Sequence, residues 1–175
     1  LRRRMALLKW AAGERGRYIL EDDYDSEFRF KGRPIPALQG LDSSDCVIYF
    51  NTFTRSLAPS MRISYMILPP PLLKRYCQFF SFYSSTVSRF EQHTLHRFMM
   101  DGHFERHLHR MHKIYGRRRD AMVAAIGGND LNGENQITIL GDSAGLHLLL
   151  TVENGMTEAE LVAKAKEKGI RVYGV

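Results

Sequence analysis

Two short polar segments of the sequence carry residue types that bind anionic ligands or hold protons. The first is the acidic run Glu21–Phe28, and the second is Asn51–Arg62, which combines hydroxyl side chains with arginines. Arginine presents a fixed fork of donors to phosphate oxygens, and hydroxyl groups add further donors. The second segment therefore indicates a phosphate site, although a capped helix start with a salt bridge would use the same residue types. Its hydroxyl and guanidinium groups belong to Thr52, Thr54, Ser56, Ser60, Arg55 and Arg62.

Each polar segment directly follows a short apolar run that is typical of a buried strand. Tyr18–Leu20 precedes the acidic run, Cys46–Phe50 precedes the arginine-containing segment, and Ile63–Leu68 is a third such run. Polar residues and prolines bound these runs, as is usual for strands. Open α/β sheets bind ligands beyond the carboxyl ends of their strands. The pattern therefore predicts that a sheet carries both polar segments to a ligand site.

Helical spacing of apolar residues predicts the remaining elements of the first part of the chain. Residues 1–14 form one helix, and a second begins at Pro69–Pro71, since proline is acceptable in a first helical turn. Further helices are predicted from about Ser88 to Met100 and from His103 to about Ile126. The last of these is long enough to connect two parts of a protein.

The rest of the chain has the pattern of a small α+β unit. Residues 127–135, GGNDLNGEN, are rich in turn formers and predict a linker. The chain ends shortly after a last predicted strand, which we interpret as truncation. The predicted order is strand, strand, helix, strand, at Ile137–Leu140, Leu146–Val152, Thr157–Lys168 and Ile170–Tyr173.

Composition indicates a soluble globular protein. The chain has 175 residues, of which 44% are hydrophobic and 25% are charged, a balance typical of folded domains. It has no apolar run of about 18 residues, so we predict no membrane-spanning helix and no membrane partner. Cys46 and Cys77 lack the spacing of a metal site or a disulfide framework, which favours a reducing cytoplasm. The formal charge of +6 is explained by arginines on solvated helix faces.

Several strings resemble, in chain order, the aminotransferase-like domain of MocR/GabR-type transcription regulators of the GntR family. They are EDDYDSEF, PIPALQ and NTFTRSLAPSMRISYMILPPPL, followed by FERHLHRMHKIYGRRRD and AGLHLLL, and the resemblance covers essentially the whole chain. It implies an α/β fold that is part of the large domain of a fold-type I aminotransferase dependent on pyridoxal phosphate, with a mainly parallel sheet. Residues 1–101 would be the C-terminal half of that domain. Residues 102–175 would be a connecting helix and the start of the small α+β C-terminal domain.

The resemblance also implies roles for individual residues toward pyridoxal 5'-phosphate. Asp22 would contact the pyridine nitrogen, where a carboxylate keeps the nitrogen protonated and lets the ring accept electrons. Tyr24 would donate to the phenolate oxygen of the ring. Thr52, Thr54 and Arg62 would hold the phosphate group.

Arg55 stands at the position where the resemblance implies the Schiff-base lysine. A guanidinium stays protonated at ordinary pH and cannot form the covalent bond with the cofactor aldehyde. It is also unsuited to moving protons near neutral pH. We therefore expect pyridoxal phosphate to bind non-covalently if it binds, and transamination by this chain to be lost.

The resemblance implies a function as the effector-sensing domain of a transcription regulator. The partners would be a small amino-acid-like effector and a second copy in a homodimer, while DNA would be bound only by a domain absent from this chain. Segments that complete the site in the family are missing on both sides, so the domain is expected to be truncated at both ends. The alternative interpretation is a fragment of a stand-alone class I/II aminotransferase.

Three other motifs suggest chemistry that the pattern disfavours. Gly141–Gly145 fits the G-x-S-x-G motif of α/β-hydrolases, but an apolar strand-like run follows it and no later histidine has a suitable position. His103 and His107 have the spacing of zinc ligands on one helix face, yet no third ligand completes a set, so we predict no metal. Arg2–Arg4 and Arg117–Arg119 are more typical of solvated helix surfaces than of a DNA contact.

Overall fold

The computed structural model describes residues 1–128 and 136–175 of the chain. Seven of the eleven elements below lie in the first 100 residues. The helices are α1 (Arg2–Ala12), α2 (Phe53–Ser56), α3 (Pro70–Phe80), α4 (Arg89–Met100), α5 (His103–Gly128) and α6 (Glu158–Glu167), and the strands are β1 (Ile19–Asp22), β2 (Val47–Thr52), β3 (Ser64–Ile67), β4 (Gln136–Leu140) and β5 (Leu149–Glu153). The predicted linker at residues 127–135 lies almost wholly outside the described residues.

The first three strands form one sheet in the order β1-β2-β3. β1 pairs with β2 in parallel, with Asp22 opposite Phe50. β3 returns antiparallel to β2, so that Thr52 lies opposite Ser64. A parallel pair requires a long crossover, and residues 23–46 supply it, including a short 3-10 helix at Gln39–Leu41. The sheet with its helices confirms the predicted α/β class.

Side chains of β2 alternate between a buried and a partly exposed face, as the two-residue period of a strand requires. Val47, Tyr49 and Asn51 are buried, whereas the residues between them are half-buried. The buried face meets α1, because the two apolar positions that α1 buries, Leu8 and Ala11, belong to the same core. That core consists of Leu8, Ala11, Ile19, Leu38, Cys46 and Val47.

Glu21 fastens the crossover loop to the sheet. Its carboxylate accepts hydrogen bonds from the backbone N–H groups of Leu38 at 2.7 Å and Gln39 at 3.0 Å. Arg4 donates to the same carboxylate at 3.1 Å and to the carbonyl oxygen of Pro36 at 2.7 Å. The Glu21 side chain thus connects α1, β1 and the crossover loop that leads from β1 to β2.

The turn before β2 is held by Asp42. Its carboxylate accepts the backbone N–H groups of Ser44, Cys46 and Val47, at distances between 2.7 and 2.8 Å. Burial raises the pKa of Asp42, but the three N–H donors outweigh that cost and the pKa lies below its ordinary value. The carboxylate therefore fixes the point at which β2 begins.

Several helices begin where a side chain caps them. Ser88 accepts the N–H of Glu91 at the start of α4, and Thr157 with Glu160 forms a capping box at the start of α6. Both helices were predicted with bounds that differ by one residue at most. α5 was predicted to end at about Ile126 and ends at Gly128.

One predicted strand is absent. Residues 170–173 form no strand, and Ile170 and Tyr173 are exposed by 59% and 80%. β4 and β5 pair only with each other among the described residues, antiparallel and in register. A strand forms only where a neighbouring strand can hydrogen-bond to it. The apolar pattern of residues 170–173 predicted a strand, but these residues pair with no neighbour among the described residues.

The described chain separates into two compact units. One comprises Leu1–Tyr115 with Ser143–Leu146, and the other comprises Gly116–Asp142 with His147–Val175. The three-stranded sheet belongs to the first unit, and the β4-β5 pair with α6 belongs to the second. The division at residues 101 and 102 that the resemblance implies stays a prediction. Within the described residues, no helix is both long and apolar enough to cross a membrane.

Candidate functional site

A cavity of about 910 Å³ lies on the partly exposed side of the three-stranded sheet. The six residues for which the family resemblance implied positions around a cofactor all line this cavity. They come from the end of β1, from the end of β2, from α2 and from the loop before β3. These residues are Asp22, Tyr24, Thr52, Thr54, Arg55 and Arg62.

Strand register explains why these side chains converge. Asp22 lies opposite Phe50 in the parallel pair, and Thr52, two residues after Phe50, lies opposite Ser64 in the antiparallel pair. Residues two apart on a strand point to the same face, and directly paired residues share a face. Asp22, Phe50, Thr52 and Ser64 therefore lie on one face, and all four line the cavity.

The two threonines are engaged within the protein. The Thr52 hydroxyl accepts the backbone N–H of Thr54 at 3.2 Å and caps α2, and it lies 3.1 Å from the carbonyl oxygen of Ile63. The Thr54 hydroxyl donates to the carbonyl oxygen of Met61 at 2.8 Å and lies 3.0 Å from the Thr52 hydroxyl. These bonds connect α2 to residues 61–63. The capped helix start that the sequence offered as an alternative to a phosphate site is therefore present.

The two arginines of the cavity have no such engagement. Arg55 and Arg62 are both exposed, and neither forms an ion pair or a side-chain hydrogen bond with another residue in ranges 1–128 and 136–175. The salt bridge proposed as an alternative to a phosphate site is therefore not formed by the described residues. Two cations that are unpaired within the described ranges therefore line a cavity that Asp22 also lines.

The donor set fits pyridoxal phosphate. Guanidinium groups suit a phosphate monoester, which carries a charge of about −1.5 to −2 at neutral pH. Asp22 and Tyr24 offer a carboxylate and a phenol on the β1 side of the same cavity. These are the groups that a protonated ring nitrogen and a ring oxygen require. The assignment of each residue to one part of the cofactor stays a prediction.

A buried polar network lies under the cavity, and sequence reasoning did not find it. The Tyr49 hydroxyl donates to Asp23 at 2.9 Å and accepts from the side-chain amide of Asn51 at 2.8 Å. The Asn51 side chain also accepts the backbone N–H of Thr52 at 2.5 Å. Asn51 is only 7% exposed and lines the cavity. The signal in the sequence was Asn51, a polar residue at a strand position that faces inward. A buried polar side chain needs hydrogen-bond partners, so it indicates a buried network.

Glu27 is a second acidic member of this network, since its carboxylate bonds to the Asn51 side chain. Burial raises its pKa above the ordinary value, opposed by its backbone hydrogen bond and by Asn51, while the charges of Asp23 and Asp25 raise it further. One of its carboxylate oxygens is buried without a hydrogen-bond partner among the described residues. The fold therefore favours the protonated form of Glu27.

Glu27→Gln is expected to increase thermal stability, and the increase should depend on pH. A raised folded-state pKa means that the contribution of Glu27 to stability is complete below its unfolded value and is lost as pH rises through the folded value. Glutamine stays neutral throughout, so the variant should unfold at a higher temperature near about pH 8 and lose this advantage toward about pH 4. Calorimetric Tm values of the full-length protein across this range measure the effect.

The matched control is Glu105→Gln, since Glu105 is an exposed glutamate in the first turn of α5. The Tm of this variant should not rise above that of the native protein as the pH rises, because a charged carboxylate in a first helical turn is stabilising. Equal profiles for the two variants would contradict the raised pKa of Glu27 in the folded protein.

The other candidate motifs have structural roles. Ser143 lies in a turn, and its carbonyl oxygen accepts the N–H groups of Phe30 at 2.9 Å and Lys31 at 3.1 Å. The turn is not followed by a helix, so it is not a nucleophile elbow. The ring of His107 bonds to the carbonyl oxygen of Ser56, and that of His112 to the carbonyl oxygen of Arg29. No group of three metal-ligating side chains occurs in the described part of the chain.

Two bacterial regulators are similar in sequence to the chain. YdeL of Bacillus subtilis (strain 168), an uncharacterized HTH-type transcriptional regulator, is 47% identical over 175 residues, which are the whole of this chain and 37% of YdeL. The probable rhizopine catabolism regulatory protein MocR of Rhizobium meliloti is 37% identical over 153 residues, or 87% of this chain and 30% of MocR. The chain thus spans about a third of the length of the curated relatives it matches. No model of a known protein family matches it.

The kynurenine aminotransferase of Pyrococcus horikoshii is similar in structure. Its crystal structure in complex with PMP superposes with a TM-score of 0.81 at 28% sequence identity. The match covers 98% of this chain and 41% of the aminotransferase. The fold therefore agrees with that of a solved aminotransferase over almost the whole described chain.

Proposed function

We propose that this chain is the part of a transcription regulator that binds pyridoxal phosphate and senses an effector. The chain belongs with the MocR-type regulators of the GntR family. Its fold is the fold-type I aminotransferase fold that the family resemblance implied. The observation that carries this proposal is the convergence of Asp22, Tyr24, Arg55 and Arg62 on one cavity. Strand register, and not proximity in sequence, brings the β1 residues to the arginines.

Each residue contributes a separate interaction in this proposal. Arg62 binds the phosphate group, and Thr52 and Thr54 position the loop that carries it. Asp22 would keep a proton on the ring nitrogen, and the Tyr24 hydroxyl would donate a hydrogen bond to the ring oxygen. When bound in an aminotransferase, pyridoxal phosphate serves as an electron sink for a substrate carbanion.

Arg55 decides what the site does with the cofactor. Its guanidinium cannot replace a lysine amine in covalent bonding to an aldehyde. We therefore assign the site to binding and not to transamination. The cofactor and a small amino-acid-like effector would bias a conformational equilibrium, which an attached DNA-binding domain outside this chain would report. A homodimer in the cytoplasm is the expected assembly, with no membrane partner.

A stand-alone aminotransferase is the second candidate function. The similarity to the kynurenine aminotransferase favours it, because that protein has 28% identity and the same fold. The higher identity to YdeL and the arginine at position 55 favour the regulator. An assay for transamination by the native full-length protein separates the two, since the enzyme requires turnover and the regulator does not.

Arg55→Lys is expected to convert non-covalent binding of pyridoxal phosphate into covalent binding. The lysine amine condenses with the cofactor aldehyde and releases water, whereas arginine cannot. Titration of the full-length proteins should therefore produce an imine absorbance band only in the variant. Borohydride reduction followed by mass spectrometry should find the adduct on residue 55 of the variant and none on the native chain.

Arg110→Lys is the control for this exchange, because Arg110 is an exposed arginine on α5 away from the cavity. It should bind the cofactor as the native protein does. A reduced adduct on a lysine of the native chain would contradict non-covalent binding. Failure of both native and Arg55→Lys proteins to bind would contradict the site itself.

A further inference from the structure

We infer that Arg55 and Arg62 together hold the phosphate group, and that the site accordingly binds 5'-phosphorylated pyridoxine compounds whether they carry an aldehyde, an amine or an alcohol. This inference rests on the proposed function and specifies its ligand class. It follows from three features of the cavity. The threonine hydroxyls are engaged, the two arginines are unpaired among the described residues, and position 55 carries a guanidinium in place of a lysine amine.

The threonine hydroxyls have their protons committed inside the protein. A hydroxyl has one proton to donate. The Thr54 proton goes to the carbonyl oxygen of Met61 at 2.8 Å. The Thr52 proton goes to the carbonyl oxygen of Ile63 at 3.1 Å or to the Thr54 hydroxyl at 3.0 Å. A phosphate oxygen could recruit either proton only if a bond that fastens α2 were lost. The two guanidinium groups, which are unpaired among the described residues, are therefore the charged donors of this cavity.

Two guanidinium groups match the charge of the phosphate. Arg55 and Arg62 line the same cavity and are unpaired among the described residues. A phosphate monoester carries about −1.5 to −2 charge near neutral pH, which two monovalent cations neutralise. A single arginine beside the carboxylate of Asp22 would leave the site with an excess of negative charge when the phosphate is bound.

No lysine of the described residues lines the cavity, so the ligand carbon that a lysine would attack has no covalent partner among them. Recognition then depends on the phosphate group, the ring oxygen and the ring nitrogen, for which Arg55, Arg62, Tyr24 and Asp22 are available. These three ligand groups are identical in pyridoxal, pyridoxamine and pyridoxine phosphates. A site that recognises only shared groups does not select among the three compounds.

Calorimetric titration of the full-length protein with the three phosphates and with unphosphorylated pyridoxal tests the inference. We expect the three Kd values to agree within about tenfold, and the Kd for pyridoxal to be about a hundredfold weaker. Arg55→Gln should weaken binding of all three phosphates by a similar factor of about tenfold or more, because it removes a charged donor to their shared group. Arg110→Gln, on α5, should change none of the Kd values.

The outcomes separate this inference from the proposed function. Selective binding of pyridoxal phosphate over the alcohol by far more than tenfold would overturn the inference and leave the proposed function in place. Unchanged Kd values in Arg55→Gln would overturn the role of Arg55 in the same way. Absence of saturable binding by every compound would overturn both.

Discussion

Arg62→Gln is expected to weaken binding of pyridoxal phosphate to the full-length protein by about a hundredfold. Glutamine removes the charge and the guanidinium fork, and a hydrogen bond to a charged group contributes about 1.5–3 kcal/mol. The backbone around Arg62 is fixed on both sides, since the carbonyl oxygens of Met61 and Ile63 accept the hydroxyls of Thr54 and Thr52. The Arg62 guanidinium is thus presented from a fixed loop.

Equilibrium dialysis with pyridoxal phosphate measures this loss. Arg62→Lys should recover part of the affinity, because lysine restores the charge without the bidentate geometry. Arg110→Gln should bind as the native protein does. If Arg62→Gln bound within about threefold of the native protein, the phosphate would have to lie elsewhere.

The elements around the site were largely predictable from the sequence because each is locally encoded. The apolar run Cys46–Phe50, bounded by polar residues, identified β2. In the fold, Val47 and Tyr49 alternate with less buried residues. The end of β2 at Thr52 was missed by two residues. Thr52 continues the strand because Ser64 of β3 pairs with it, and such a partner is not visible in the local pattern.

The residues of the cavity were predicted from a family resemblance, and only the fold explains why they meet. Asp22 and Thr52 are thirty residues apart and come together through the parallel register of β1 with β2. Spacing in the sequence alone left open whether Thr52 served a phosphate or a helix cap. The structure answers part of that question, since the Thr52 hydroxyl accepts the N–H of Thr54.

The buried network was not predictable, because its chemistry depends on burial. Asp23 and Glu27 belong to an acidic run that the sequence describes only as polar. In the fold, Tyr49 and Asn51 are brought beneath that run from a different strand. Burial also raises the pKa of Tyr49 and of Tyr65. None of these properties follows from residue type, because each depends on which side chains the fold buries and which partners it places beside them.

Phe28→Ala is expected to destabilise the unit that contains the cavity by about 3–5 kcal/mol. Phe28 is 1% exposed, and its ring packs against that of Tyr115 in a T-shaped arrangement with 5.2 Å between centroids. Its carbonyl oxygen accepts the N–H of Gly145 at 2.8 Å. Alanine keeps the backbone bond but removes the ring, so the loss comes from apolar burial and from the void that remains.

That loss is a large share of a typical folding free energy of about 5–15 kcal/mol. Urea denaturation of the full-length protein followed by circular dichroism measures it, with two matched variants beside it. Phe28→Leu should cost less than about 1.5 kcal/mol if it repacks, and Phe82→Ala, at a ring that is 75% exposed, should cost about 0.5 kcal/mol or less.

Because Phe28 does not line the cavity, folded Phe28→Ala protein should bind pyridoxal phosphate with native affinity. Equal destabilisation by Phe28→Ala and Phe82→Ala would show that the acidic run is not anchored through the Phe28 ring.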